Sequence, residues 1–280
     1  MFVDSREARP FAYELKFLLP PSAADDVRAW ARTHLVADPH GAGPHGDEYR
    51  TTTVYFDTPG FDTYEGHGSY GRAKYRVRRY DEAGTVFLER KLRRPGLLVK
   101  RRTAVAFEAL DELARDALGP AGPGQALAGQ APPGHAGEGR VGSGRDGREH
   151  GWAGHWFARR IRARGMSPVV RISYHRMARS FPANGSGVAR LTLDADLRAV
   201  AVDTLAFAGE PGAKVLEALV LELKYRDHVP ALFRRLVEDV GLAPVKMSKY
   251  RVSVDALRLA ESVVPARGLP APLSSMGDER

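Results

Sequence analysis

The sequence predicts an α+β fold, a closed antiparallel β-barrel with helices packed on its outside. The first observation is a set of short segments in which residue types alternate with the period of two that a strand requires. The second is that one face of these segments is ionic: Lys74, Arg76 and Arg78, for example, share a face. If the apolar faces pack under helices, the ionic faces must turn towards each other, as in a barrel with a wet, charged interior. An antiparallel sheet with one solvated polar face is the simpler alternative.

The composition indicates one globular domain with anionic partners. The chain has 280 residues, 43% of them hydrophobic, which is enough to bury a large core. Its net charge of +8 and pI of about 9.8 favour phosphate, nucleic acid or acidic membranes without distinguishing among them. No run of about 18 apolar residues exists and the first ten residues lack a signal-peptide core, so we expect a cytoplasmic location. The absence of cysteine excludes disulfides, thiolate zinc sites and cysteine nucleophiles.

The domain is predicted to span residues 11–260, after a tail at 1–10. Residues 11–19 alternate as a strand that carries Glu14 and Lys16 on one face. Ser22 and Asp25 resemble a capping box, and the apolar stripe that follows predicts a helix.

Four strands are expected next, at residues 49–58, 73–80, 85–91 and 97–107. The turn signal at 81–84 joins the second and third of them as a hairpin. The alternation does not decide which way Lys100, Arg101 and Arg102 point in the fourth.

Residues 119–151 are rich in Gly, Ala, Pro, His and Arg without periodicity, and we interpret them as a disordered insertion. A helix is expected at about 156–165 and another at 229–240. Strands are expected at 168–176, 189–194 and 215–225. Ser248 is placed to cap a last helix at 248–260, and residues 261–280 are predicted to be a disordered tail.

Eight short motifs together resemble the triphosphate tunnel metalloenzymes, and within them the VTC-type polyphosphate polymerase domain. The resemblance covers residues 11–258 apart from the insertion. The motifs are Y-E-L-K-F at 13–17, V-Y-F-D-T at 54–58, K-Y-R-V-R-x-Y at 74–80, L-E-R-K at 88–91, Y-H-R at 174–176, R-L-T-L-D at 190–194, V-L-E-L-K at 220–224 and K-M-S-K-Y at 246–250. Each motif is weak alone, and their order and spacing carry the resemblance.

The resemblance implies an eight-stranded tunnel in which lysines and arginines hold a triphosphate or polyphosphate and a glutamate holds Mn²⁺ or Mg²⁺. The implied catalytic cations are Arg76, Arg78, Lys91, Arg176 and Arg190. The implied substrate-binding residues are Lys16, Lys246, Ser248 and Lys249, and the ionic strand faces add Lys74 and Lys224 as further candidates. The implied metal ligand is Glu222, with Glu14 and Asp194 as further candidates.

Each role has a structural alternative. In this alternative, Arg76 and Arg78 have no ligand and only form ion pairs with Glu89 and Glu14 across the sheet. Glu222, likewise, only neutralises the charge of Lys224 or Lys16. The match at Ser248 has independent support, because the free N–H groups of a helix start attract anions and the neighbouring lysines add charge.

One departure from the family pattern bears on the reaction. The hydrolases of the family begin with Glu-x-Glu-x-Lys, whereas this chain has Ala12 at the first position. Loss of that carboxylate weakens a two-metal site for activating water. The sequence therefore favours phosphoryl transfer from ATP to inorganic phosphate, pyrophosphate or a growing polyphosphate chain. The membrane helices that the fungal complexes of this branch carry are absent, so any membrane partner would lie outside this chain.

The sequence leaves three rival functions open. The first is a tripolyphosphatase or nucleoside triphosphatase, and the second is a non-catalytic polyphosphate or nucleotide binder. The third is a nucleic-acid binder, which would need cations interleaved with exposed aromatic residues. That rival ranks last because the cations here alternate with core-like residues, and no specific nucleic acid is expected.

Overall fold

The alternating segments form strands that pair in one antiparallel sheet. The computed structural model describes residues 4–5, 13–94, 97–119, 152–181, 189–226 and 228–261. The predicted insertion beyond Gly119, the tail beyond Glu261, the predicted tail at 1–10 except for residues 4–5, and Ala12 lie outside the described residues.

The strands are β1 (Asp4–Ser5), β2 (Tyr13–Leu19), β3 (Val36–Ala37), β4 (Glu48–Asp57), β5 (Ala73–Tyr80), β6 (Thr85–Arg94), β7 (Leu97–Ala106), β8 (Ser167–Ser180), β9 (Arg190–Ala201), β10 (Ala213–Leu216) and β11 (Leu219–Tyr225). The α-helices are α1 (Ala24–His34), α2 (Asp62–Glu65), α3 (Leu110–Leu118), α4 (His155–Arg162), α5 (Ala231–Asp239) and α6 (Lys249–Ala256). Short 3₁₀ turns cover Pro21–Ala23, Tyr70–Arg72 and Phe107–Ala109. None of the described helices is long and apolar enough to cross a membrane.

The sheet runs in the order β1-β7-β6-β5-β4-β8-β9-β11-β2, with β10 paired to β9 and β3 paired to β8. All of these pairs are antiparallel, which confirms the predicted α+β class. No hydrogen-bonded pairing joins β2 to β7 within the described residues, so the predicted closure of the barrel by backbone pairing is not observed. Side chains nevertheless connect the two ends of the sheet: Lys91 Nζ on β6 lies 3.2 Å from Glu14 Oε2 on β2. The sheet is therefore curled until its two ends face each other.

The register of the sheet gathers the charged side chains on the inside of this curl. Arg76 lies opposite Glu89, Arg176 opposite Asp194, and Glu222 opposite Lys16. We call this surface the ionic face. Its charged residues are Glu14, Lys16, Lys74, Arg76, Arg78, Glu89, Lys91, Lys100, Arg102, Arg176, Arg190, Asp194, Glu222 and Lys224.

Helices cover the outside of the curl in two apolar clusters. In the first, Val27 and Ala31 of α1 and Phe233 of α5 pack on Leu191 and Leu221. The spacing of four between Val27 and Ala31 places both on one side of α1, which faces the sheet.

The second outer cluster lies under α3 and α4. Leu113 of α3 and Phe157 and Ile161 of α4 pack on Val77 and Leu88. These side chains are completely buried, and each contributes roughly 1.5–3 kcal/mol of hydrophobic stabilisation. The two clusters hold the apolar faces outside and leave the ionic face inside.

Helix α6 lies on the opposite side from α1 and α4, against the ionic side of the sheet. Its Tyr250 and Val254 pack with Tyr55, Ile172 and Tyr174, and the rings of Tyr55 and Tyr250 stack at 5.1 Å. The predicted cap is confirmed, because the Ser248 hydroxyl accepts a hydrogen bond from the Arg251 backbone N–H at 3.4 Å. The start of α6 therefore points into the curl.

Several element boundaries differ from the prediction. Helix α1 starts at Ala24 without a side-chain cap, so the capping box predicted at Ser22 does not form; the 3₁₀ turn after Pro20 occupies that position. The predicted strand at 215–225 divides into β10 and β11, which pair with β9 one after the other. Helix α3 was not predicted, because the Ala106–Leu118 stretch carries no cap residue that marks its start.

The outer core supports a matched pair of leucine substitutions. Leu191→Ala should lower the free energy of unfolding by about 3 kcal/mol, because Leu191 is completely buried against α1 and α5. Leu18→Ala on β2, where the side chain is 39% exposed, should cost less than about 1 kcal/mol. Urea unfolding followed by circular dichroism measures both; equal costs would contradict the assigned core.

Candidate anion-binding site

The ionic face carries more positive than negative charge. With Lys249, which α6 adds from its first turn, eleven basic side chains face four carboxylates, Glu14, Glu89, Asp194 and Glu222. Desolvated charges are costly unless they are paired. The arrangement of the four carboxylates therefore decides which cations remain available to a ligand.

Glu89 is the centre of one cation cluster. Its fully buried carboxylate is 2.7 Å from Arg76 Nε, 2.8 Å from Lys100 Nζ and 3.3 Å from Arg102 Nε. Burial alone would raise the pKa of Glu89, but these cations together with Arg78 hold it well below its usual range. Glu89 is therefore ionised and fixes the orientation of the Arg76 guanidinium, which also donates to Tyr55 Oη at 3.0 Å.

Asp194 is the centre of the second cluster. Arg176 binds it through two hydrogen bonds, Nε to Oδ1 at 2.6 Å and Nη2 to Oδ2 at 2.7 Å. Lys249 Nζ lies 2.6 Å from the same Oδ2 and 2.8 Å from Glu222 Oε1. Burial would lower the pKa of Lys249, but the two carboxylates outweigh it and raise the pKa above its usual value. One ammonium group thus joins the carboxylates of two neighbouring strands.

Glu222 and Glu14 complete the ionic face on β11 and β2. Glu222 Oε2 is 3.0 Å from Lys224 Nζ, and Lys16 Nζ lies 3.8 Å from Oε1. Glu14 is paired with Lys16 and Lys91, each at 3.2 Å. Burial and the charge of Glu222 would raise the pKa of Glu14, but Lys91, Lys224 and Lys16 lower it to about 2.

Two cations on β5 have no carboxylate partner among the described residues. Arg78 is 7% exposed and donates from Nε to Thr53 Oγ1 at 3.1 Å. Lys74 donates to the hydroxyl of Ser248, the cap of α6, at 2.6 Å. Burial lowers the pKa of Lys74 to about 8. Because no carboxylate is in direct contact with either cation, these two residues are the positions of the face best suited to receive an anion.

The structure places most of the predicted site residues together and separates two of them. Arg190 lies at the edge of the ionic face, away from the four central carboxylates; there it pairs with Asp38 at 2.5 Å and donates to Tyr49 Oη at 3.0 Å. Lys246 lies two residues before the Ser248 cap of α6 and is exposed.

The sequence did not identify three further residues of the site, Lys100, Arg102 and Glu89. Lys100 and Arg102 point inward and Arg101 outward, where its guanidinium stacks on Trp156 at 4.1 Å. Side chains alternate between the two faces of β7, but three consecutive cations look the same in either register, so the sequence does not show which of them point inward. Glu89 was treated only as a neutralising partner, because nothing local indicates that it collects cations from both β5 and β7.

The carboxylates fit a divalent cation only in part. Among the described residues, no group of three or more His, Asp or Glu could hold a metal ion. However, Asp194 and Glu222 converge on one cation position, which Lys249 Nζ occupies. Mg²⁺ commonly binds one or two carboxylates and takes its other ligands from substrate phosphates and water. The oxygen donors of Asp194 and Glu222 therefore fit a metal that arrives with phosphate, whereas Glu14 is held by two lysines.

Comparisons with known proteins give one family. The model of the VTC domain family matches residues 11–258. No curated protein matches the chain.

Three solved structures show a distant likeness. A proposed adenylate cyclase of Bacillus halodurans has 13% identity and a TM-score of 0.45, covering 85% of this chain and 94% of its own. A proposed adenylyl cyclase of Hippeastrum, described with a dominant triphosphatase activity, has 13% identity and a TM-score of 0.44, covering 88% and 95%. The PH1819 protein of Pyrococcus horikoshii has 12% identity and a TM-score of 0.42, covering 89% and 99%. Structural similarity at this level gives no information about the activity of this chain.

Removal of the Glu89 carboxylate tests the first cation cluster. Glu89→Gln should lower the free energy of unfolding at pH 7 by about 3 kcal/mol or more, because it leaves three cations without their counter-ion. The ordinary pKa of a glutamate is 4.5, and that of Glu89 is lowered, so the ionised carboxylate stabilises the fold above this pH and the stabilisation is lost on acidification. The difference in unfolding free energy between wild type and Glu89→Gln should therefore shrink as the pH falls below 4.5. Glu82→Gln, in the exposed pair with Arg79, is the control and should leave the urea midpoint nearly unchanged.

The lowered pKa of Lys74 predicts a pH-dependent affinity for anions. A bound anion favours the protonated amine, so the affinity for tripolyphosphate without metal should fall as the pH rises through about 8. Lys74→Arg keeps its charge, so wild type should lose up to about tenfold more affinity than this variant between pH 7 and 9. Calorimetric titration measures both proteins, and the ionisation of the ligand is common to them. Parallel pH profiles would contradict the role of Lys74.

Proposed function

The chain belongs to the VTC domain family, and from this premise we propose that it is a metal-dependent phosphotransferase that passes the terminal phosphoryl group of ATP to a growing polyphosphate chain. The observation that carries the proposal is that two cations on the ionic side of β5, the buried Arg78 guanidinium and the Lys74 ammonium, have no carboxylate in ion-pair contact among the described residues. They lie within a face whose other cations are already held in position by carboxylates. Such a surface suits a ligand with several closely spaced negative charges.

The fixed cations supply the positioning that phosphoryl transfer requires. Arg76 and Arg176 are each anchored through Nε, by Glu89 and Asp194 respectively, so their planes are set before a ligand arrives. Phosphoryl transfer needs no side-chain nucleophile, and its catalysis consists mainly of alignment and charge stabilisation. Preorganised guanidiniums provide both without a reorganisation cost.

The reaction is a single displacement. An oxygen of inorganic phosphate, pyrophosphate or a polyphosphate end forms a bond to the γ-phosphorus of ATP, while the bond to the β–γ bridging oxygen breaks. The products are ADP and a chain that is one phosphate longer. Arg78 and Arg76 face the developing charge, and Lys91 and Lys16 extend the positive surface towards β2.

Mn²⁺ or Mg²⁺, when bound, would neutralise the charge of neighbouring phosphates. Glu222 and Asp194 are the residues that would hold it, because their carboxylates already share one cation. Few protein ligands are needed when phosphate oxygens complete the coordination.

The residues on β2 favour transfer over hydrolysis. A carboxylate that activates water must be free to accept a proton or bind a metal. Glu14 is bound by Lys16 and Lys91, and its pKa of about 2 makes it a poor base. The sequence supplies Ala12, not a second carboxylate, two residues earlier. The inward curl of the cations also suits a chain of phosphates better than an open nucleic-acid surface.

Substitution of two adjacent arginines that lie on opposite faces of β5, Arg78 and Arg79, tests this function. Purified protein with ATP and Mn²⁺ should form chains that an exopolyphosphatase degrades. Arg78→Met should lower kcat/KM by about 100-fold, because it removes a charge that stabilises the transferred phosphoryl group. Arg79→Met is the control, because Arg79 lies on the outer face over the Phe107 ring and should retain activity.

The products separate the proposal from its rivals. Release of orthophosphate from tripolyphosphate without chain growth would indicate a hydrolase. Saturable ligand binding without turnover would indicate a binding protein. Equal background product from wild type and Glu222→Ala would contradict the proposed function.

A further inference from the structure

We infer that Lys249 and a divalent cation exchange places between Asp194 and Glu222, so that metal binding and phosphate binding are coupled through this lysine. The inference rests on the proposed function, since it assigns a device to the same site. Its evidence is the position of one buried ammonium group and the charges around it.

Lys249 fills the position that a bridging cation would need. The residue is 8% exposed, and its Nζ lies 2.6 Å from Asp194 Oδ2 and 2.8 Å from Glu222 Oε1. The second oxygen of Glu222 is taken by Lys224, and Arg176 binds both oxygens of Asp194. The only place where both carboxylates present oxygen to one point, among the described residues, is therefore occupied by Lys249.

A metal and the ammonium cannot share this place. Two positive charges within a few ångströms repel strongly in a partly desolvated site. Lys16, Lys224 and Arg176 already surround the same carboxylates, so an added divalent cation would not find compensating negative charge on the protein. Metal binding thus requires Lys249 to leave.

A phosphate group at the start of α6 gives Lys249 another acceptor. Lys249 is the first residue of α6 and follows Ser248, whose hydroxyl accepts from Lys74 at 2.6 Å. Lys74 brings a second positive charge to this point without a carboxylate of its own among the described residues. A lysine side chain is flexible and offers three donors, so its ammonium can move from carboxylate to phosphate by rotation.

The exchange makes the binding of metal and the binding of phosphate positively cooperative. Phosphate draws Lys249 away and frees oxygens for the metal, and the metal in turn releases Lys249 for phosphate. Coupling of this kind is reciprocal, and each ligand raises the affinity for the other by the same factor. The sequence motif K-M-S-K-Y and Glu222 then act as one unit rather than as an anchor and a separate metal ligand.

Binding of Mn²⁺ alone tests the exchange without any turnover. Free Mn²⁺ is measured by electron paramagnetic resonance at pH 7 without phosphate. Lys249→Gln and Lys249→Met should bind Mn²⁺ at least about tenfold more tightly than wild type, because they remove the competing charge. The glutamine amide still donates to the carboxylates, which protects folding in that variant. No gain in either variant, or no binding in any protein, would overturn the inference.

Lys224→Gln is the matched control. It removes an equal charge from the same Glu222, at 3.0 Å, but Lys224 does not bridge to Asp194. Its gain in Mn²⁺ affinity should be less than about a third of that of Lys249→Gln. Equal gains would show a general effect of charge and would overturn the exchange.

A second measurement uses wild type directly. Sulfate, a tetrahedral dianion, should raise the Mn²⁺ affinity of wild type by about threefold or more when ionic strength is held constant with chloride, and should leave Lys249→Gln unchanged. The same response in both proteins, or none, would refute the coupling. Neither measurement depends on polyphosphate synthesis, so failure of the proposed function and failure of this inference give different results.

Discussion

The need to neutralise buried positive charge organises this protein. Lysines and arginines from neighbouring strands face the inside of a curled sheet, where water cannot fully solvate them. Glu89, Asp194 and Glu222 compensate much of that charge, each from the centre of a group of cations. The compensation is incomplete at Arg78 and Lys74. Where the protein supplies too little negative charge, a ligand can supply it.

The apolar outer surface maintains this unfavourable interior. Helices α1, α3, α4 and α5 bury the outward side chains of the sheet, and this burial stabilises the curl that brings Lys91 to Glu14. Helix α6 enters from the other side, where the buried Asp57 carboxylate accepts from the Tyr250 hydroxyl at 2.5 Å and from the backbone N–H groups of Thr63 and Tyr64. That contact ties α6 to α2 and β4. It fixes the position from which Ser248 and Lys249 reach the ionic face.

The ion pairs of the ionic face fix the orientation of its cations. A guanidinium held by a carboxylate through Nε keeps its remaining donors aimed in one direction, as Arg76 does towards Tyr55. Such pairs add little net stability when the cost of burial is included. Their effect is to hold these charges in place before any ligand binds. Lys249 differs from the other cations because its two partners are also the residues best placed to bind a metal.

The sequence by itself determined which residues share a face and which family the chain belongs to. The period-two alternation is a local property, so it correctly placed Lys74, Arg76 and Arg78 together on β5, and Glu14 with Lys16 on β2. The motif order indicated the VTC domain family, and the helix start at Ser248 could be read from its cap. Only the tertiary structure decided the facing of Lys100 and Arg102, the three cations around Glu89, and the bridge that Lys249 makes between Asp194 and Glu222. These features depend on strand register and on the curl of the sheet, which follow from packing between residues far apart in the chain and leave no local pattern.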